Sequence, residues 1–360
     1  MTDNRERNRI IVGHRDNGMT FRDIRVQMGM PTPQAVRSAW LTGMRQAGRE
    51  VPTTSVRVHT GRTTRTITTE TLEGFNTLSS MTFGIEIECV GLNCAQAFLA
   101  LSNAGVSVVD AGYTHTVMRE WKVVRDGSLN SRNGACEVVS PILQGKQGID
   151  EIRTVMSILR TAGASVDTSC GMHIHIGVKQ FSNIQLANIV RDHQIWNGAF
   201  DAFLADRRIV ANGSYLGKRN ARSARELADN IRDASNATEL RDVTARTERY
   251  TNLNVASFPK YGTYENRQHQ GSLNGMNAGA WIILTQAFYE LSAEGGLPDA
   301  STVMDYAELD IIRTGSTLPR NTQRVMAHAL ISHLHLAGKI DFVVANYLHS
   351  RTDNRSFVMA

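Results

Sequence analysis

Six short segments of the chain are predicted to be strands, and in at least three of them charged residues recur at every second position, a pattern typical of strands with one face in a core and the other outside it. In the first segment, Ile85 and Ile87 alternate with Glu86 and Glu88. We therefore expect a sheet that is apolar on one face and polar on the other. The six segments are residues 81–90, 120–129, 134–141, 170–178, 249–255 and 262–271.

The polar positions of these segments are occupied largely by Glu, His, Asn and Arg. Charged side chains that gather in a cleft are unfavourable unless a cation or a ligand neutralises them. The pattern therefore predicts a binding site on the polar face. The residues that alternation places on one side are Glu86 with Glu88, His173 with His175, Asn252 with Asn254, and Glu265 with Arg267 and His269.

Carboxylates dominate the predicted site. Glu86 and Glu88 would project from one strand roughly 6–7 Å apart, and they repel each other unless a cation lies between them. Glu137 and Glu265 stand on two further segments. Oxygen-rich ligand sets favour Mg²⁺ or Mn²⁺, whereas sets rich in Cys and His favour zinc. We expect a divalent cation here, although the ExE motif alone also fits two solvated glutamates on a strand edge.

Basic and amide side chains add to the carboxylates. His173 and His175 lie in an otherwise apolar strand, and either ring could also be a core histidine or a zinc ligand. A guanidinium is suited to binding phosphate, although an ExR motif is equally typical of a salt pair. The candidates for binding phosphate, nucleotide or a substrate carboxylate are Arg249, Asn252, Asn254 and Arg267.

The segments between the strands predict the fold class. The strands are short and several are joined by turns, which fits an antiparallel or mixed sheet backed by helices better than a doubly wound parallel sheet. We expect an α+β body over residues 81–360. Its predicted helices are residues 94–104, 147–162, 183–205, 276–293, 302–313 and 320–348.

The first 50 residues predict a small helix-turn-helix-like basic domain. Helices are expected over residues 4–17, 21–28 and 33–41, and the third would present polar side chains outward. Short three-helix units also dock proteins, so nucleic-acid contact and protein docking are both open. The outward residues are Gln34, Arg37 and Ser38.

The charge distribution sets this N-terminal part apart from the body. Residues 1–80 contain 12 arginines, no lysine and seven acidic residues, so the whole net charge of +5 falls there. Attraction to nucleic acid or another polyanion would belong to this part of the chain. Residues 51–80 are rich in Thr and Arg and are expected to form a linker, in which a short extended piece is also compatible with the sequence.

Composition limits where the protein works. No apolar run approaches the roughly 20 residues of a membrane span, and the polar start MTDNRERNR lacks the apolar core of a secretory signal. We expect a cytoplasmic protein with no membrane partner, and an oligomer is compatible with the sequence. There is no GxxxxGK[ST] or GxGxxG phosphate-binding motif.

Six motifs occur in a fixed order: GIEIEC, WKVVRDGSL, CEVVSPIL, SCGMHIHIG, RYTNLN and GTYENRQHQGSLN. Together they resemble the amidoligase family of the carboxylate-amine ligase superfamily, whose relatives include glutamine synthetase and glutamate-cysteine ligase. The resemblance covers about residues 81–290. It implies a curved, mainly antiparallel sheet forming a half-barrel, and ATP held by two or more divalent ions.

The same resemblance implies a reaction, in which a carboxylate and an amine are joined by way of an acyl phosphate. A peptide or protein is among the candidate substrates. The resemblance implies metal ligation by Glu86, Glu88, Glu137, His175 and Glu265, metal or nucleotide binding by His173 with His175, and catalytic roles for Arg267, Arg249 and Glu265.

Two other functions are compatible with the sequence. One is a nucleic-acid-binding regulatory protein in which the ligase-like body is catalytically inactive. The other is a metal-dependent hydrolase that uses the pair formed by His173 and His175. Dependence of ATP hydrolysis on Mg²⁺ would favour the ligase, whereas bound zinc without nucleotide affinity would favour the hydrolase.

Overall fold

The computed structural model describes residues 4–16, 19, 21–30, 33–47, 53–60, 63–70, 75–129, 134–205, 221–314 and 316–353. The chain divides into two compact units. The smaller unit comprises Met1–Arg57 with Thr64–Glu73, and the larger unit comprises Val58–Thr63 with Gly74–Ala360.

The smaller unit contains three helices: α1 (Asn4–Asp16), α2 (Phe21–Gln27) and α3 (Pro33–Gln46). Helices were predicted at these three places, and α3 continues five residues beyond its predicted end. The side chains of Gln34, Arg37 and Ser38 lie outside the part of the chain that the structure describes, so contact with nucleic acid stays a prediction. The buried core of the unit is formed by Ile11, Val12, Ile24, Val36, Ala39, Trp40 and Met44.

The Thr- and Arg-rich segment contains regular structure. Strands β1 (Thr53–Thr60) and β2 (Thr63–Glu70) pair with each other as a two-stranded sheet. β-Branched threonines are favourable in strands, which accounts for extended structure where the sequence suggested a linker.

A seven-stranded sheet organises the larger unit. The strand order is β4-β5-β6-β3-β7-β9-β8, and β4 with β5 is the parallel pair in a sheet whose other pairings are antiparallel. This confirms the α+β prediction of a mainly antiparallel sheet backed by helices. The strands are β3 (Phe83–Val90), β4 (Val108–Gly112), β5 (Trp121–Val124), β6 (Ala135–Val139), β7 (Met172–Gly177), β8 (Leu253–Asn254) and β9 (Thr263–Asn266).

The apolar face of this sheet is buried in the core. Ile85, Ile87, Val138, Met172 and Ile174 are at most 1% exposed, and burial of such side chains is worth roughly 1.5–3 kcal/mol each. Because strand residues alternate sides, this burial turns the neighbouring polar residues to the opposite face. The alternation predicted for the first and fourth strand segments is thereby confirmed.

Helices cover the apolar face. The helix α10 is buried along almost its whole length and packs against α5 and α6. None of the helices in the described ranges has the length and apolar content that a membrane span requires. The helices of the larger unit are α4 (Cys94–Asn103), α5 (Gly145–Thr161), α6 (Asn183–Asp201), α7 (Ala221–Asp233), α8 (Ala237–Ala245), α9 (Phe258–Tyr261), α10 (Gly275–Ala293), α11 (Tyr306–Thr314), α12 (Arg320–Leu336) and α13 (Phe342–Asp353).

Several element predictions were wrong in detail. The strand β4 and the helices α7 and α8 were not predicted. The helix expected over residues 320–348 is two helices, α12 and α13, and Gly338 between them has a φ of 69° that a helix cannot continue. The strand expected over residues 249–255 is reduced to Leu253–Asn254.

Candidate functional site

A cavity of about 840 Å³ opens on the polar face of the seven-stranded sheet. Nine of the ten residues to which the sequence analysis assigned a metal-binding, ligand-binding or catalytic role line it, so the fold gathers into one cleft side chains from distant parts of the chain. We refer to this cavity as the acidic cleft. The nine residues are Glu86, Glu88, Glu137, His173, His175, Arg249, Asn254, Glu265 and Arg267.

Strand register explains how the acids and imidazoles meet. Directly opposite residues on one face of an antiparallel pair have Cβ atoms roughly 4.5–5.5 Å apart, so pairing alone brings their side chains within reach. Three such pairs join β3, β6, β7 and β9. They are Glu86 with His173, Glu88 with Glu137, and His175 with Glu265.

Glu86 lies at the centre of the acidic cleft. Its Oε2 is 3.1 Å from Nδ1 of His173, and its Oε1 is 3.2 Å from Nε2 of His175. Burial by itself would raise the pKa of Glu86, but hydrogen bonds from the two imidazoles and their charge hold that pKa well below its usual range. Burial opposes protonation of His175, whose pKa is nevertheless raised by the charges of Glu265 and Glu86.

Two groups of side chains could each hold a metal ion. Within each group the candidate ligand atoms all lie within 4.8 Å of one another. Both groups contain His173, so two ions bound there would lie close together and share one imidazole as a ligand. Two carboxylates to one imidazole is an oxygen-dominated set, which suits Mg²⁺ or Mn²⁺ better than zinc. The groups are Glu86, His173 and Glu265, and Glu88, Glu137 and His173.

Glu137 is repelled by the neighbouring carboxylates of the acidic cleft. Burial raises its pKa well above the usual range, and repulsion from Glu86 and Glu88 raises it further. A divalent cation between these carboxylates would remove that repulsion. The donor set therefore fits a bound Mg²⁺ or Mn²⁺ ion.

Glu265 is held by hydrogen bonds from two side chains of the cleft. It accepts a hydrogen bond of 2.5 Å from Nη1 of Arg267 and one of 2.6 Å from Nδ2 of Asn254. Burial opposes its ionisation, but the charges of His175 and Arg267 lower its pKa. Arg267 is itself 8% exposed, so a buried cation is fixed beside the carboxylates.

Asn252 is the nominated residue that does not reach the cleft, and its predicted position beside Asn254 was wrong. Its Nδ2 donates to Oδ1 of Asn197 on α6, which covers the opposite face of the sheet. The reason is that β8 begins only at Leu253, so the alternation used for the prediction does not extend back to residue 252. Its proposed nucleotide contact is not supported by this placement.

His269 was also placed on the wrong side. Regular strand structure ends at Asn266, and although Arg267 still lies on the cleft side, the alternation does not extend to residue 269. The ring of His269 instead lies 4.9 Å from that of Trp281 on α10, on the helical side of the sheet.

Arg249 lies on the exposed rim of the cleft, with its guanidinium 5.0 Å from the ring centre of Tyr250. It is therefore placed to meet a ligand from solvent, whereas Arg267 is part of the buried site. The guanidinium of Arg267 lies 6.0 Å from the same ring. Both guanidinium groups therefore lie near the ring of Tyr250.

Sequence reasoning missed Lys122. This lysine on β5 is 6% exposed, and its Nζ donates to the backbone carbonyls of Thr114, at 3.3 Å, and Thr116, at 2.8 Å. The available signal was a single charged residue inside the apolar run WKVV, which becomes a buried strand. Burial lowers the pKa of Lys122, while the negative charges of Glu86 and Glu137 act in the opposite direction.

The comparison with protein families agrees with this geometry. Residues 79–289 match a family model described as "Putative amidoligase enzyme". The matched range contains all seven strands of the larger sheet and every residue of the acidic cleft. No curated protein matches the chain.

Proposed function

Because this chain belongs to the amidoligase family, which suggests ligase activity, we propose that it joins a carboxylate to an amine in a reaction that consumes ATP and requires Mg²⁺. The proposed route runs through an acyl phosphate. A carboxylate oxygen attacks the γ-phosphorus, ADP leaves, and the amine then displaces phosphate from the acyl carbon with loss of a proton.

The observation that carries this proposal is the convergence of four carboxylates on one cleft wall. Like charges so close together are unfavourable in a partly buried site, and repulsion from Glu86 and Glu88 adds to the burial that raises the pKa of Glu137. A site built around a divalent cation accounts for it. The four residues are Glu86, Glu88, Glu137 and Glu265.

The residues of the chain divide the work of such a reaction. The two groups that share His173 would hold Mg²⁺, which when bound neutralises phosphate charge and lowers the barrier to its transfer. Arg267 supplies a fixed buried cation for the charge that develops during transfer. Arg249 at the rim would attract the anionic substrates before they enter.

Burial supports the chemistry in a second way. Glu88, His173, Glu265 and Arg267 are each at most 8% exposed, so the reacting groups would meet away from bulk water. An acyl phosphate hydrolyses when water reaches it, and a site that excludes water favours attack by the amine. Positioning then supplies most of the rate enhancement.

Product analysis tests the proposal. The protein is incubated with ATP, Mg²⁺ and a mixture of amino acids or candidate proteins, and the products are analysed by mass spectrometry. We expect ADP together with products lighter by one water than the sum of their reactants. Both should be lost when EDTA replaces Mg²⁺. Zinc in the purified protein together with no affinity for nucleotide would contradict the proposal and favour a hydrolase.

A further inference from the structure

A second cavity adjoins the acidic cleft. It has a volume of about 310 Å³ and shares with the cleft the lining residues Glu86, Glu137 and His175. We call it the lysine compartment because Lys122 lines it and does not line the larger cavity. A ligand in this compartment would therefore lie next to the proposed metal site.

Lys122 belongs to the same face of the sheet as the carboxylates. It is opposite Val139 on β6, which is in turn opposite Glu86 on β3. Neighbouring strands are about 4.8 Å apart, so Lys122 and Glu86 are separated by roughly 10 Å at the backbone. Val139 stands between them on that face, and the compartment is lined by all three residues, so a small ligand group in it can lie near both the ammonium and Glu86.

The ammonium of Lys122 can donate one more hydrogen bond. It has three N–H donors, and within the described residues two of them are taken by the carbonyls of Thr114 and Thr116. In that same part of the chain no carboxylate lies within ion-pair distance of it. A buried cation without a counter-ion is unfavourable, and an anionic ligand group in the lysine compartment would provide one.

The rest of the lysine compartment is partly apolar. Val139 and Tyr261 line it, and Val117 and Ile142 line it while remaining 51% and 66% exposed. Single exposed apolar residues are ordinary, but here two of them share one cavity with a buried ammonium. The combination matches a ligand with a charged head and an apolar tail.

We propose that the lysine compartment binds the carboxylate substrate, and that this substrate carries an apolar side chain. The inference rests on the proposed ligase function and adds to it a substrate class and a binding residue. The carboxylate accepts a hydrogen bond from the remaining N–H of Lys122 and faces the acidic cleft. There one of its oxygens attacks the γ-phosphorus of ATP. Its apolar part contacts Val117, Ile142 and Tyr261.

A nucleobase is the competing occupant, and the charge of Lys122 favours the carboxylate. An uncharged base can pack against the apolar lining, but it leaves the buried ammonium without a counter-ion. A carboxylate with an apolar side chain pairs with the ammonium and packs against the apolar lining. Charge-assisted hydrogen bonds of this kind are roughly twice as strong as neutral ones. The two occupants predict different effects of removing the charge.

The test uses a matched pair of probes, 3-phenylpropanoate and its uncharged amide. Binding of each to the full-length protein is measured by isothermal titration calorimetry, with and without Mg²⁺ and a non-hydrolysable ATP analogue. The variants are Lys122→Met, which keeps the aliphatic length, and the control Lys146→Met, an exposed lysine on α5 that lines neither cavity. Affinity for the ATP analogue is measured separately.

We expect the wild type and Lys146→Met to bind the carboxylate at least about tenfold more tightly than the amide. Lys122→Met should lose that preference and keep its affinity for the ATP analogue within about twofold.

The wild type alone can overturn the inference. It does so if it binds the two probes equally tightly or binds neither of them. Loss of analogue affinity in Lys122→Met would also overturn it and assign the compartment to the nucleotide. Absence of analogue binding in the wild type would contradict the proposed function instead.

Discussion

Nδ1 of His173 lies 3.1 Å from Oε2 of Glu86 because the two residues are directly opposite each other on β7 and β3. The same imidazole is shared by both candidate metal-binding groups, and its Nε2 lies 3.8 Å from Oε1 of Glu88. His175 touches Glu86 from the other side but belongs to neither group. The two histidines of one strand therefore have different roles in our account.

This difference predicts unequal effects of two alanine substitutions. His173→Ala should weaken Mn²⁺ binding by about 100-fold, since it removes a ligand from both groups, whereas His175→Ala should weaken it by about tenfold through the orientation of Glu86. Electron paramagnetic resonance of free Mn²⁺ during a titration measures both. Equal losses in the two variants would show that His173 is not shared.

Glu137→Gln should stabilise the metal-free protein and reduce the further stabilisation that Mg²⁺ provides. The amide removes repulsion between Glu137 and its neighbours Glu86 and Glu88, so the metal-free protein should gain on the order of 1 kcal/mol, a few degrees in Tm. The rise in Tm on adding Mg²⁺ should be smaller than in the wild type. Calorimetry in EDTA and in Mg²⁺ tests this, and a Mg²⁺ response equal to that of the wild type would remove Glu137 from the metal site.

Arg267→Ala should lower kcat for phosphate release by about 100-fold or more, because a buried cation beside the transferred group would be lost. Arg267→Lys should recover part of the rate, since the charge returns without the bidentate geometry. Arg246→Ala, which changes an exposed arginine outside the cleft, is the matched control. A kcat unchanged in Arg267→Ala would exclude a role in transfer.

The N-terminal unit and the ligase-like body should act separately. Glu88→Gln should abolish Mg²⁺-dependent ATP hydrolysis and leave affinity for duplex DNA unchanged, because the net positive charge lies in residues 1–80. Fluorescence anisotropy with a labelled duplex at several salt concentrations measures the affinity. An equal loss of DNA binding would contradict this division. DNA binding together with no ATP hydrolysis in the wild type would favour a regulatory protein with an inactive body.

The pH dependence of stability should change when Asp192 is replaced. Burial raises its pKa, and Arg191 offsets this only in part. A raised folded-state pKa contributes stability that is present below the unfolded value of about 3.9 and lost as pH rises through the folded value. Asp192→Asn should therefore stabilise the protein more at pH 7 than at pH 3.5. Urea denaturation at both pH values tests the sign, which would be reversed if the pKa were lowered.

The sequence was sufficient where local alternation is regular. In β3 and β7 every second residue is apolar and buried, so the polar positions of Glu86, Glu88, His173 and His175 were predicted on one face. Their contacts depend on which strands pair and in which register, and alternation does not contain that information. The ordered set of motifs predicted, through the family resemblance, that these residues meet at one site, but not which strands pair or in which register.

Prediction failed where regular structure is short. Asn252 and His269 lie just outside β8 and β9, so alternation assigned them to the wrong face. The strand β4 was missed because its edge position leaves it only partly buried. By contrast, α7 did carry a signal, since Ala224, Leu227, Ala228 and Ile231 form one buried helical face.

Lys122 shows a different limit. A lysine in a strand is ordinarily solvated. Its apolar neighbours in WKVV indicate that β5 is buried, but nothing along the chain indicates that the strand adjoins a cavity. Only the pairing of β5 with β6 places its ammonium near Glu137 and Glu86. The proposed substrate-binding residue therefore depends on tertiary structure.

Anomalous scattering from crystals soaked with Mn²⁺ and a non-hydrolysable ATP analogue tests the central claim most directly. The account predicts manganese peaks within coordination distance of Glu86 and Glu265 and of Glu88 and Glu137, with His173 between them and the phosphates of the analogue on the same ions. An acidic cleft without manganese, or manganese and nucleotide bound at separate places, would contradict it.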